Sequence, residues 1–432
     1  MVSTECDIIT AAATLASPIK TRFQHRRQGI PAAFSRVARS TRKRFSLSED
    51  EELWVDLQKS IESAGYALRP RYRPGWVGSW VGTNKKAEEC EDSIGMGNAP
   101  IVMDATRISD GVQVLLKLWI NNERDGPEMG ILRYFSDPSR VNDPCNHCVP
   151  LLDSFSLVGL ERAFEEIIVE PLLRDWRYPP FYMVAEALSF MLQLIEGLEY
   201  MHSHNVAHGD IHAGNIMMDP KDMFPKGFHG AFNYDFRARD YDTKRKLLRQ
   251  RTRLQSYVKY FYIDFGSSAK FGPGEAHSVR PAWTFWECPE MRRKEGQVGQ
   301  VAYDPFKADV YALGLTLLTE IQKRTGLEFV LPTLLGMIAE NPDDRPSMRE
   351  LKLSFHSMLV GLSHGQMRRR IGWIDDDNPF VHPEAWGEYL RLLWQSYRYG
   401  LTKDIITDRG GPWWRFCLTH QQDAAVATCA EV

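Results

Sequence analysis

The chain has 432 residues, 53 Lys+Arg against 56 Asp+Glu, and a formal net charge of −3. With 43% apolar and 25% charged residues it can bury a sizeable core, which excludes wholesale disorder, and its balanced charge excludes a global pull toward nucleic acid or membrane. No apolar run is long enough to span a bilayer and no secretory apolar region opens the chain, while seven scattered Cys speak against a disulfide framework and for a reducing compartment, cytoplasmic or nuclear.

Residues 8–48 carry nine Lys/Arg and no acid, with Arg26, Arg27, Arg42, Lys43 and Arg44 among them. A solvated arm, a nuclear-import patch at 39–44 and a transit peptide all fit that pattern, although Glu5 and Asp7 weaken the last. Residues 50–66 have the spacing of a short amphipathic helix. The stretch 71–98, rich in Gly, Pro and Trp, reads as irregular. From Ile101 the period becomes that of a strand: 101–108 and 112–119 flank the turn Ser109-Asp-Gly111, a hairpin signal. Pro127 suits a first helical position, and Glu128–Phe135 continues as a helix. Apolar runs follow at Cys148–Leu157 and Phe164–Leu173. Beyond them the pattern turns helical: Ala185–Ser203, Ala308–Lys323, Phe329–Glu340 and Ser347–Leu359. After about His364 the chain is rich in Trp and Arg. Cys145-Asn-His-Cys148 has zinc-like spacing but no second pair, so it reads as the entrance to a strand.

The chemistry gathers in one segment, His208-Gly-Asp210-Ile-His212-Ala-Gly-Asn215. An Asp and an Asn five positions apart on a loop can serve one site, the Asp accepting a proton and the Asn carbonyl binding a hard cation. Asp264, at the end of the apolar run Phe261-Tyr-Ile and followed by Phe265-Gly266, adds a second carboxylate and fits a Mg²⁺ site. Each piece alone is weak, because an Asp near a Gly is usually a turn residue.

Together, and in order, these pieces resemble the protein kinase family. Val114-Leu-Leu-Lys117 is similar to the family's nucleotide-lysine strand, Glu128 to the glutamate of its small-lobe helix, and His208-Gly-Asp210 with Asn215 to its catalytic loop. Asp264-Phe-Gly266 is its metal motif unaltered. Cys288-Pro-Glu290, Asp309-Val-Tyr-Ala-Leu-Gly314 and Asp344-Arg345-Pro346 resemble its large-lobe signatures. Seven ordered signatures are jointly specific. The layout, with Asn146–Asp153, also resembles kinase-like proteins of mushroom-forming fungi. The resemblance implies that Lys117 pairs the α/β-phosphates of ATP and is held by Glu128, that Asp210 accepts the substrate proton, and that Asn215 and Asp264 hold Mg2+. It implies a hinge at Val169 and Glu170–Leu172 that receives adenine. It also implies a buried Glu290–Arg345 ion pair and an Asp309 that ties the catalytic-loop backbone. His208 reads as a packed core histidine. For Glu128 a bland alternative stands: a first-turn acid favoured by the helix dipole.

Four departures stand out. No G-x-G-x-x-G precedes the strand at 104–108; Gly95-Met-Gly97 is a remnant at best, so the phosphates lose backbone donors. Gly209 replaces the Arg of H-R-D, which implies no activation-loop phosphate switch. His212 replaces the customary Lys, leaving a mostly neutral imidazole in the catalytic loop. Asp309 and Arg345 stand only 36 positions apart, so the helix that docks protein substrates is trimmed. The loop His-Gly-Asp-x-His-x-Gly-Asn also resembles small-molecule phosphotransferases. A further 49 positions separate Asn215 from Asp264, where the family has a tight hairpin; the insert carries Lys244, Lys246, Arg249, Arg251 and Arg253. It reads as a solvated loop, or as a surface at 244–253 for an acidic partner.

The expected fold is α+β and bilobal: a small antiparallel β lobe with one helix and a larger, mainly helical lobe, with ATP between them. The expected division is an arm plus short helix at 1–66, a kinase-like domain at 67–362 (small lobe to about 172, large lobe from 173, basic insertion 221–259) and an extension at 363–432. The expected function is ATP- and Mg²⁺-dependent phosphorylation of Ser/Thr in a protein substrate. A pseudokinase binding module and a small-molecule phosphotransferase are the alternatives. Neither a membrane nor a specific nucleic acid is expected as partner.

Overall fold

The computed structural model describes residues 46–95, 101–119, 126–157, 166–231, 251–253, 256, 258–279, 288–291, 302–322, 324–373 and 383–398. The basic arm at 8–45 and most of the basic stretch 244–253 lie outside them.

The architecture is the expected bilobal α+β fold. The small lobe is one antiparallel sheet in the order β1-β2-β3-β5-β4, built from β1 (Tyr66–Leu68), β2 (Val102–Arg107), β3 (Gln113–Trp119), β4 (Asp153–Ser156) and β5 (Glu166–Pro171). The hairpin read from Ser109-Asp-Gly111 is there: Val102 faces Lys117 and Thr106 faces Gln113, and Gly111 takes the left-handed φ of 74° that the turn needs. Side chains alternate across the sheet. Met103, Ala105, Val114, Leu116, Leu118, Ile167 and Val169 point to one face and form a core of their own.

Two helices serve this lobe rather than the expected one. α1 (Glu49–Ser63) covers the outer face with Trp54, Leu57 and Ile61, and shares its core with Leu116 and Val169. The core therefore crosses the division expected at residue 66. α1 begins at Ser48 with a reciprocal cap, since Glu51 N–H donates to Ser48 Oγ and Ser48 N–H to Glu51 Oε2. Its other helix, α2 (Gly126–Phe135), packs Met129, Ile131, Leu132 and Phe135 into the main core shared with the large lobe.

Between β1 and β2 the chain makes the irregular excursion read at 71–98, but it is tied down. Arg71 is buried and pairs with Glu51 at 2.7 Å; Arg69 pairs with Glu91 and Asp104, each at 3.0 Å; Asp92 accepts from Trp76, Ser79 N and Ser79 Oγ. The Gly95 end of the Gly95-Met-Gly97 remnant is described, and the rest lies outside the described residues.

The large lobe is built on α3 (Val184–Ser203), most of whose residues are buried, and α4 (Pro305–Ile321) and α6 (Met348–Gly361) share its core. Between α4 and α6 the one α-helix among the described residues is the short α5 (Leu331–Met337). A three-stranded sheet joins β6 (Arg174–Asp175), β7 (Ile216–Met218) and β8 (Tyr260–Tyr262), so the insertion leaves after Met218 and returns before Tyr260. The chain beyond 363 docks on this lobe: Met367, Ile371 and Leu392, the last on α7 (Pro383–Arg398), enter the main core. No helix among the described residues is long and apolar enough to cross a membrane. Among the described residues Cys90, Cys148 and Cys288 are free, and Cys145 is disulfide-bonded.

Candidate active site

The face of the small sheet opposite its core carries Gln113, Leu115 and Lys117 on β3. On neighbouring strands it carries Asp104 opposite Leu115, and Ile168 and Glu170 opposite Lys117 and Leu115. This face looks into the gap between the lobes. Lys117 sits there with its Nζ 2.5 Å from Glu128 Oε1 and 3.0 Å from Asp264 Oδ1. Burial pulls the pKa of this amine down, but the carboxyl groups of Asp264, Glu128 and Glu170 hold it above the ordinary lysine value. Glu128 does stand in the first turn of α2, as the bland alternative has it, but its side chain is buried and bonded to Lys117, so it does more than face the helix dipole.

Asp210 and Asn215 are joined in the loop before β7. Asn215 Nδ2 donates to Asp210 O at 2.9 Å and to Asp210 Oδ2 at 3.3 Å. His212 lies beside them, its Nε2 3.9 Å from Asp210 Oδ2. Gly214 N–H donates to His212 Nδ1, which leaves Nε2 to carry the proton in the neutral ring. His208 is fully buried; its Nδ1 accepts from Asp210 N–H and its Nε2 faces Ile263 O at 3.1 Å. That bond ties the loop to the strand ending at Asp264. Asp309, buried on α4, accepts from His208 N–H at 2.7 Å and Gly209 N–H at 2.9 Å. Arg345 is wholly buried and grips Glu290 through two bonds of 2.7 Å each.

Gly209 is more than a missing arginine. Its φ is 80°, and a Cβ built there would stand 2.2 Å from Ser267 O. Asp264 also takes a left-handed φ of 65°. Two backbones therefore meet where the loop at 208–215 passes the turn at 264–267, and only glycine leaves them room. The unusual H-G-D could have signalled this contact.

The expected hinge is corrected in part. Val169 points into the small-lobe core, and its carbonyl accepts Leu152 N–H at 2.8 Å, so it is not open to a ligand. Glu170 still belongs to β5 and turns its side chain toward Lys117; Leu172 follows the strand and is buried. Sequence reasoning missed what this makes of Glu170, a cleft-facing carboxyl only 4% exposed whose Oε1 has no hydrogen-bond partner. Burial pushes its pKa up to about 7; Lys117 pulls it down, while Glu128 and Asp264 push it further up.

Cys148 is buried, and His147 turns its Nδ1 to Tyr260 O at 2.7 Å. In the insertion, Arg253 is buried, donating to Trp176 O, Pro179 O, Pro180 O and Tyr260 Oη. It braces the large lobe rather than offering its charge to an acidic partner.

The model of the protein kinase domain matches residues 89–330. Over 313 residues, 66% of this chain, the sequence is 22% identical to a light-sensor protein kinase of Ceratodon purpureus. It is 23% identical over 204 residues, 46% of this chain, to serine/threonine-protein kinase 10-A of Xenopus laevis. Cyclin-dependent kinase D-1 of Arabidopsis thaliana is 27% identical over 131 residues, 29% of this chain. The matched regions span 21%, 18% and 32% of those relatives' own lengths.

Proposed function

Because this chain belongs to the protein kinase family, we propose that it is an ATP- and Mg²⁺-dependent kinase acting on a Ser/Thr hydroxyl of a protein. The observation that carries this reading is the double pairing of Lys117 with Glu128 and Asp264. Phosphoryl transfer asks for fixed positive charge and positioning rather than covalent chemistry, and an ammonium clamped from two sides supplies both. Asp210 would take the hydroxyl proton, its carboxylate steered by the Asn215 amide. His212, next to Asp210, would add a hydrogen bond rather than a full charge, which leaves more of the transition-state charge to Lys117 and the metal.

The donor set fits Mg²⁺. Asp264 offers a carboxylate, and Asn215 commits its amide nitrogen to Asp210, which turns its oxygen into a hard donor for a cation. No cluster of three His, Cys, Asp or Glu occurs among the described residues, which accords with an ion that takes one or two carboxylates and fills its shell with water and phosphate. The ion, when bound, would neutralise phosphate charge. ATP in the gap would meet Lys117 at its phosphates and the chain after Glu170 at its base.

The test is transfer of labelled phosphate from ATP to a panel of Ser/Thr peptides, with Asp210→Asn beside the parent. Transfer that Asp210→Asn leaves intact would end the assignment of Asp210. A second reading, a pseudokinase binding module, draws on one feature: an ion-paired excursion at 69–95 stands where a phosphate-cradling glycine loop is expected. Absence of both transfer and nucleotide binding would favour it.

A further inference from the structure

The insertion after Met218 does more than leave the large lobe. Its first turn is anchored there: Met223 and Phe224 enter the main core, and Arg251 N–H donates to Met223 O. The buried Arg174 guanidinium lies over the Phe224 ring at 4.8 Å and the Phe228 ring at 5.3 Å. The next residues then cross to the small lobe. Gln113 Nε2 donates to Phe228 O at 2.8 Å, and Phe228 N–H donates back to Gln113 Oε1 at 3.3 Å. His229 Nε2 lies 3.1 Å from Glu91 Oε1, and its Nδ1 accepts Ala231 N–H. Gly230 presses on Asp104 so closely that a Cβ there would stand 2.7 Å from Asp104 Cβ. Phe228 and His229 are almost wholly buried.

Gln113 and Asp104 both belong to the cleft face of the sheet. Asp104 is opposite Leu115, one same-face step of about 7 Å from Lys117 toward the base end of the gap. The segment therefore lies against the roof under which a nucleotide base would have to fit.

We propose that residues 228–230 are an autoinhibitory strap: they bridge the lobes over the base end of the cleft and must lift from Gln113, Asp104 and Glu91 before a nucleotide enters. The idea rests on the ATP reading above. A cleft open only a fraction of the time binds with an affinity reduced by that fraction, so weakening the strap tightens apparent binding. The strap's contacts are a few hydrogen bonds and one close glycine approach, which makes release reversible on binding.

The test uses the full chain, ATP with Mg²⁺, and two substitutions outside the reacting groups. His229→Ala deletes the bond to Glu91, and Gly230→Val wedges the strap away from Asp104. Each should lower the apparent Kd for ATP about tenfold in titration calorimetry. In the parent chain, which needs no substitution, ATP should speed hydrogen exchange of the amides at 224–231. ATP binding with unchanged exchange there, or equal affinity in the parent and in folded variants whose strap amides exchange fast, overturns the proposal. If open-strap variants bind no ATP at all, the nucleotide reading falls and the inhibitory role falls with it.

Discussion

Glu170 gives the sharpest quantitative expectation. Its carboxyl is buried on the cleft face, its Oε1 lacks a partner, and its pKa is pushed from an ordinary 4.5 to about 7. A carboxyl whose pKa is higher in the folded chain favours folding at low pH and loses that support as pH rises. Below about 4.5 both states hold the proton. Between about 4.5 and 7 the unfolded chain releases it and the folded chain does not, so stability falls; above 7 the loss is complete. The displacement corresponds to roughly 3 kcal/mol. Glu170→Gln keeps the shape and never ionises. It should therefore be more stable than the parent by about 3 kcal/mol at pH 8 and by less than about 1 kcal/mol at pH 5. At roughly 2 °C per kcal/mol for a chain this large, thermal melts followed by circular dichroism should differ by about 6 °C at pH 8 and by only about 1–2 °C at pH 5. A gap that is the same at both pH values, or a Gln variant less stable at pH 8, would refute the assignment of a raised pKa to the carboxyl beside Lys117.

Three other expectations follow from the site. Gly209→Arg, which restores the family's usual residue, should destabilise the chain and abolish rather than raise activity, because the new Cβ meets Ser267 O; a stable and more active variant would contradict the close approach. Glu290→Gln leaves the buried Arg345 without its carboxylate and should cost about 3–5 kcal/mol, read as a lower denaturation midpoint; a loss below about 1 kcal/mol would show that the backbone acceptors Ala339 O and Lys307 O satisfy the guanidinium alone. Asp264→Ala should erase the Mg²⁺ dependence of any ATP-induced thermal shift, and an unchanged metal response would remove Asp264 from the cation site.

What the sequence shows plainly is what is periodic or local. The hairpin was visible because its strands alternate and Asp110-Gly111 admits one kind of turn, and the long helix 184–203 because its apolar residues recur at helical spacing. Lys117, Glu128, Asp210, Asn215 and Asp264 could be picked out because motif order survives even where identity is low, and the fold brings Lys117 to Glu128 and Asp264, and Asp210 to Asn215. What stayed hidden depends on pairing between distant positions. Nothing near Arg71 announces Glu51, and nothing near Phe228 announces Gln113. The side on which Glu170 points follows from strand register, and composition carries no record of that. Gly209 looked like a deficit because the backbone it must clear lies more than fifty residues later in the chain.

The placement of α1 changes where the smallest viable piece of this protein begins. The family match opens at residue 89, yet Trp54, Leu57 and Ile61, which cover the outside of the sheet, and Tyr66 and Leu68 of its edge strand lie before it. A recombinant fragment cut at that point would uncover Val114, Leu116, Ile167 and Val169 on an unsheathed edge-and-face surface, the kind that drives chains into aggregates. It would also remove Arg69 and Arg71, the cations that hold Asp104 beside the cleft and fix the excursion to α1. The stretch matched by the kinase domain and the packed lobe thus have different starts, and expression from ahead of α1 rather than from residue 89 is the choice that respects the second.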